Sequence, residues 1–155
     1  MRHIENFPNI VDTTDLEGIP YKHLGTDKDG IDCFNLGVLL YKEILNIIIP
    51  YTTADFPTAD KDVNWFNKVK NPTLLYDCFT EKYGWKLVEK AKPFDVILMS
   101  IGSTNYANHC GVLLPNANML HTMMGHRSHQ IRYGNIFRQA TVRIGRWDLD
   151  YERNF

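Results

Sequence analysis

Gly30-Ile31-Asp32-Cys33-Phe34-Asn35-Leu36 runs without a break into Gly37-Val38-Leu39-Leu40-Tyr41-Lys42-Glu43-Ile44-Leu45, and the reading of this stretch decides the fold. Gly30 ends a polar loop. Asp32 is a residue type that caps helices, because its carboxylate accepts a hydrogen bond from an otherwise unpaired backbone N–H. The spacing predicts a helix from Asp32 to about Asn46, with Pro50 closing the segment. Apolar side chains lie nearly all the way around it (Phe34, Leu36, Val38, Leu39, Leu40, Tyr41, Ile44, Leu45), as in a central, buried helix. Cys33 falls in the first turn. There the positive end of the helix dipole and free N–H groups favour thiolate over thiol. Gly37, one turn on, is expected to leave the surroundings of that thiol open. Most free cysteines are small buried hydrophobes, so the nucleophile reading of Cys33 depends on its company.

The chain has 155 residues, enough for one domain with its own core. Its 44% hydrophobic and 23% charged residues are ordinary for a globular protein. A net charge of −1 with scattered basic residues argues against a nucleic-acid partner. No stretch approaches the roughly 20 apolar residues of a membrane span, and no apolar segment near Met1 reads as a Sec-type signal. Three cysteines (Cys33, Cys78, Cys110) leave an odd one and point to a reduced chain. They are too few for an all-thiolate zinc site, and His126-x-x-His129 sits in a glycine-containing turn instead of a His-Glu-x-x-His helix. No metal or other cofactor is expected.

Residues 1–28 read as an irregular lead-in with one short extended piece at Ile19–Leu24. Beyond Pro50, helices are expected at Lys61–Val69 and at Leu74–Tyr83, the second ended by Gly84, and a strand at Trp85–Lys90. From Phe94 onward the character changes to strands. These are Asp95–Ile101, His109–Leu113, one within Ala117–Met124, Gln130–Tyr133 and Arg138–Trp147. Helices first and a strand meander second make an α+β domain.

A thiolate nucleophile needs a base, and the base needs a group to orient it. His109 opens its strand directly after the Gly102–Asn108 loop, and His121 lies in the next strand. A three-residue loop at Leu114–Asn116 pairs the two histidines on one face. A turn at Asn116–Ala117 instead pairs His109 with Met124 and sends His121 to the opposite face. In the first register His121 can hold the ring of His109, the role an Asp or Asn plays in other triads. Cys110 points away from His109 by strand alternation, and with Cys78 it reads as core. His126, Arg127 and His129 read as a solvated loop, or as a rim for acidic groups of a substrate.

Tyr21, then Gly30–Leu36, Pro93-Phe94-Asp95-Val96-Ile97-Leu98, His109-Cys110-Gly111-Val112 and Leu120-His121 occur in an order that resembles the NlpC-type cysteine peptidases of bacterial cell walls. The likeness is to the short single-domain versions in phage tail-gene clusters, and it spans about Ile19 to Trp147 in a single domain over 1–155. It implies a papain-like fold, with the nucleophile at the start of a helix packed on a small antiparallel barrel or meander. It implies Cys33 as nucleophile, His109 as base and His121 as the orienting residue, with Tyr21 and Asp32 lining the site and the oxyanion position. The implied substrate is the stem peptide of peptidoglycan, cut at an amide bond through a thioester. The implied setting is a tail-associated virion protein made in the cytoplasm, with other phage tail proteins as partners. A structural tail-tip component and an amidase-type wall hydrolase are the alternatives. Permuted lipid acyltransferases of similar fold place histidine before cysteine, the reverse of the order here. Phe34-Asn35 stands where many such peptidases carry Ser-Gly, and Phe94 stands where they carry glycine.

Overall fold

The computed structural model describes residues 7–56, 59, 73–102 and 106–151, so the helix expected at Lys61–Val69 lies outside the described residues. The chain enters through a two-stranded hairpin, β1 (Thr26–Asp27) and β2 (Gly30–Ile31), which delivers it into α1 (Cys33–Leu40). The helix extends through Leu45, but its last turn, Tyr41–Leu45, is π-helical, and Asn46 ends it in the left-handed region at φ 57°. Phe34, Leu36, Leu40 and Tyr41 are buried, while Val38, Leu39, Ile44 and Leu45 are partly so. The all-round apolar pattern therefore does correspond to the helix at the centre of the core.

The stretch expected as one helix over Leu74–Tyr83 is two pieces, α2 (Leu74–Cys78) and a single 3₁₀ turn at Glu81–Tyr83. The break lies at Phe79, whose backbone leaves helical space so that its ring can pack edge-on against Phe34 and Trp85 at 5.1 and 4.8 Å. Burial of a large aromatic outweighs the one or two helical hydrogen bonds lost.

The strands follow as β3 (Trp85–Leu87), β4 (Val96–Met99), β5 (His109–Leu113), β6 (Asn118–His121), β7 (His129–Arg132) and β8 (Thr141–Trp147). A short helix, α3 (Asn135–Ala140), precedes β8 and occupies the first residues of the strand expected from Arg138. All pairings are antiparallel, in the order β3-β8-β4-β5-β6-β7. The chain forms the expected antiparallel meander, and among the described residues the sheet stays open with β3 and β7 as its edges, so barrel is a loose word for it. The fold is α+β and papain-like.

The sheet is covered on both faces. Val96, Leu98, Cys110, Val112 and Leu120 pack with α1, whereas Ile97, Met99, Met119 and Tyr133 form a second core with Phe137 and Ala140 of α3. The strict alternation along β4 explains why all four of its residues are buried. Gly37 faces β5, where an added Cβ would lie 3.2 Å from Val112 Cγ2. Its role is to let α1 settle on the sheet, which replaces the expectation that it opens space around the thiol. Asp95, fully buried, receives both Nε and Nη2 of Arg146 at 2.9 and 2.7 Å and ties β4 to β8. Phe94 adopts φ 73°, a conformation natural to glycine, while its own ring is buried and meets Phe7 edge-on. The core contact holds a strained backbone that costs roughly 1–2 kcal/mol.

Candidate active site

Asp32 caps α1 as its sequence position implies, one carboxylate oxygen accepting from Asn35 N–H at 2.7 Å. The other accepts the Thr53 hydroxyl at 2.5 Å. Burial pushes the carboxyl up to about 6, against the downward pull of the Thr53 hydroxyl and of the Asn35, Phe34 and Leu24 backbone N–H groups. Asn35 extends this network. Its amide donates to the Gly25 carbonyl at 2.9 Å and to Thr53 Oγ1 at 3.0 Å, and its carbonyl accepts Thr53 N–H at 3.1 Å. One buried side chain thus joins the helix start, the β1–β2 hairpin and the turn at Thr53–Asp55. Sequence reasoning missed Asn35 and Thr53 as site residues. The departure from glycine at position 35 was the available signal.

Gly25 sits where a Cβ would be 2.3 Å from the Gly30 carbonyl oxygen, so the hairpin that leads into Cys33 is closed by backbone contact. Beside it the lead-in segment forms a bridge between Tyr21 and Ile31, with Ile31 N–H bonded to the Pro20 carbonyl and Lys22 N–H to that of Ile31. This places Tyr21 next to the helix start. Burial, with Cys33 and Asp32 adding to it, pushes the phenol well above its ordinary range, so it remains an O–H donor at neutral pH.

Cys33, half-buried, lines a cavity of about 150 Å³ together with Tyr21, Asp32, Thr53, His109 and Thr122. The side chain of Cys110, fully buried on the α1 face of β5, adjoins the thiol. Burial and the neighbouring Cys33 raise the Cys110 thiol well above its ordinary range, so it stays protonated. Cys110 is therefore core, as alternation implied, and also touches the nucleophile candidate. Leu74, Leu75, Met123 and Met124 supply the apolar wall of the cavity. The Thr122 hydroxyl is buried there, with no hydrogen-bond partner among the described residues.

The sheet side of the cavity is built on histidines. His109 Nε2 lies 2.8 Å from His121 Nδ1, with ring centroids 5.0 Å apart. The two rings meet on one face, as in the first expected register, but through a pairing that is neither of the two. The observed pairs are Gly111↔His121, Val112↔Leu120 and Leu113↔Met119. The turn closes through Leu114 N–H to the Asn118 carbonyl, with Ala117 at φ 68°. This is a three-residue loop at Pro115–Ala117, one residue later than the first alternative. The offset leaves His109 diagonal to His121 on the same face, a separation of roughly 7–8 Å between backbones that two imidazoles span. Burial, and then the neighbouring His121, pushes His109 down to about 3. Burial, followed by His129 and His126, pushes His121 down to about 4. Both rings are neutral at neutral pH, so His109 can accept a proton.

His129 stands directly opposite His121 and contacts it Nε2 to Nε2 at 3.1 Å. The other nitrogen of His129 lies 2.8 Å from the Arg127 carbonyl. Arg127 itself is exposed and donates to the Gly18 carbonyl at 2.9 Å, and His126 is exposed beside it. None of these three residues lines the cavity. Among the described residues no cluster of His, Cys, Asp or Glu has the makings of a metal site, and no helix is long and apolar enough to cross a membrane.

This arrangement of helix and sheet has counterparts. A sequence model of the NlpC/P60 family matches residues 18–146. The chain belongs to the NlpC/P60 family. It is similar to Tail tip assembly protein K of Escherichia phage N15, with 23% identity over 116 residues, 75% of this chain and 44% of that protein. The chain thus spans less than half the length of that relative. Among solved structures it is similar to an NlpC/P60 family protein from Bacillus cereus, at a TM-score of 0.51 and 18% identity over 84% of this chain and 36% of the other. A protein from Staphylococcus aureus described as similar to lipoprotein, NLP/P60 family, gives a TM-score of 0.50 and 18% identity over 86% and 38%. At such identities the two structures speak for the fold of the family.

Proposed function

We propose that this protein is a peptidoglycan hydrolase, a cysteine endopeptidase that cuts a stem-peptide amide bond, carried by a phage tail. The observation that carries the reading is one cavity lined by a thiol at a helix start and by a neutral imidazole that a second imidazole holds in place. Family membership supports the substrate class, and the tail-protein relative supports the setting.

Cys33 Sγ gives its proton to His109 Nδ1, the ring nitrogen not bonded to His121, and attacks the scissile carbonyl. Oxyanion charge falls at the helix start, where the backbone N–H of Cys33 is free of an intrahelical partner and the Tyr21 phenol is a second donor. His109 passes the proton to the leaving amine, and a thioester remains on Cys33. Water then attacks the thioester, giving one proton to His109 and expelling the thiolate; the carboxylic acid formed loses its proton to solvent, and His109 returns its own to Cys33 Sγ. Asp32 acts beneath the thiol by holding the helix start in place.

A second reading has a specific observation behind it: the curated relative is a tail tip assembly protein, which favours a structural component that keeps the fold. Digestion of purified peptidoglycan by wild type and Cys33→Ala, with muropeptides read by mass spectrometry, separates the two. New amino termini released by wild type alone establish the thiol peptidase and name the bond, and a cut between sugar and peptide marks an amidase. No cleavage by folded, reduced wild type leaves the structural reading.

A further inference from the structure

Three imidazoles and one backbone carbonyl form a continuous line from the cavity to the surface: His109, His121, His129 and the Arg127 carbonyl, at 2.8, 3.1 and 2.8 Å. Only one end has fixed polarity. A carbonyl oxygen accepts and never donates, so His129 Nδ1 carries a proton. In a neutral ring its Nε2 is then a bare lone pair. The contact to His121 needs one proton, which must sit on His121 Nε2. That leaves His121 Nδ1 bare, and the contact to His109 takes its proton from His109 Nε2. The remaining nitrogen, His109 Nδ1, is left unprotonated. This is the nitrogen the proposed reaction requires as base.

We infer that His129 is a positioning residue for His109: by accepting from His121 and donating to the Arg127 carbonyl, it sets the tautomer of both buried imidazoles and presents a bare Nδ1 to the Cys33 side. The inference rests on Cys33 and His109 being nucleophile and base, and it assigns a role to a residue outside the cavity. The anchor is rigid. Arg127 bridges Pro20, Ser128 N–H bonds the Ile19 carbonyl at 2.8 Å, and the buried Ser128 hydroxyl donates to the Leu16 carbonyl at 2.6 Å. The next residue along that lead-in is Tyr21, so one backbone segment holds both the end of the histidine line and a wall of the cavity. A proton on His129 Nε2 would reverse the donors of both imidazole–imidazole contacts and block His109 Nδ1, so a bare Nε2 is the competent form.

The test compares His129→Phe, which keeps a ring against His121 and removes the acceptor, with His129→Gln, whose amide carbonyl restores it. Imidazole nitrogen-15 NMR of histidine-labelled protein reads the tautomers independently of catalysis. In wild type, His109 and His121 are expected as Nε2–H rings and His129 as the Nδ1–H ring. In His129→Phe the tautomer of His109 becomes mixed, and in His129→Gln it returns. On peptidoglycan fragments, His129→Phe is expected to lose roughly tenfold to a hundredfold in kcat with KM held, and His129→Gln to recover most of it. An Nδ1–H ring at His109 in wild type overturns the inference, as does an unchanged His109 tautomer in His129→Phe. If wild type cleaves no wall, the proposed function falls while the NMR result still decides the histidine line.

Discussion

The two walls of the cavity are held by different means. On the helix wall, Cys33 rests on Asp32, Asn35 and Thr53, a network tied to one helix start and one turn. On the sheet wall, His109 rests on His121 and His129, which reach it across three strands. The helix wall starts from a local cap, Asp32 to Asn35 N–H, which contacts to Gly25 and Thr53 then extend. The sheet wall depends on register, where a slip of one residue would turn His121 to the other face. The proposed nucleophile and base thus come from one half placed mainly by local sequence and one placed by strand register.

The largest loss is expected when the proposed nucleophile or base is removed from its wall. Cys33→Ala and His109→Ala are each expected to lower peptidoglycan cleavage by about 10⁴-fold or more, as removal of a nucleophile or base does in other acyl-transfer enzymes. Thermal unfolding of Cys33→Ala should match wild type closely, since the thiol is only half-buried. A His109 loss far smaller than the Cys33 loss would mean that another group acts as base.

Asn35→Ala tests the helix wall alone. It leaves Thr53 N–H without its partner and takes one of two donors from the Gly25 carbonyl, which keeps Asp32 N–H, and a cost of roughly 1–3 kcal/mol in urea unfolding is expected. Thr53 also lines the cavity, so KM should rise while the tautomers of the histidines stay as they are. An unchanged stability would remove Asn35 from the account of how the helix start is held.

The walls also carry opposite pH dependence. His109 and His121 are depressed to about 3 and about 4, so the unfolded chain binds their protons first as pH falls. Their contribution is present above about pH 6.5 and is lost as pH falls through the folded values. Asp32 is raised to about 6, so its contribution is full below its unfolded value and is lost as pH rises through 6. Between about pH 4 and 6 the two partly cancel. Asp32→Asn should therefore steepen the rise of stability with pH, and urea midpoints measured from pH 4 to 7.5 would show it. A slope equal to wild type would place the Asp32 carboxyl at an ordinary value.

The smallest stability effect is expected at Gly37→Ala, which tests the seam between the walls. A gain of about 1 kcal/mol in helix propensity is offset by the contact at 3.2 Å with Val112 Cγ2. Net stability should change by less than about 1 kcal/mol, while activity falls because α1 and its thiol shift relative to β5. Activity loss without matching stability loss would locate the sensitivity in the distance between the walls.

Much of the helix wall is legible in the order of residues. The cap at Asp32, the helix after it and the strand His109–Leu113 follow from local pattern, since a cap needs a partner only three residues on and a strand shows its alternation within five residues. The hairpin register is not legible, because Ala117 takes a left-handed conformation for which neither glycine nor asparagine gives a signal. The break at Phe79 is hidden too, since the rings that draw it inward come from Phe34 and Trp85.

From the order of residues alone come the family, the helix-start cysteine, the two histidines and the succession of helix then meander, because each rests on neighbours in the chain. Only the tertiary structure decides that the sheet stays open, that Gly37 seats the helix on Val112, that Asn35 locks Thr53 beneath the thiol, and that His129 joins the histidine line. Each of these depends on which distant side chains meet, and that is settled by strand register and by burial of the shared core.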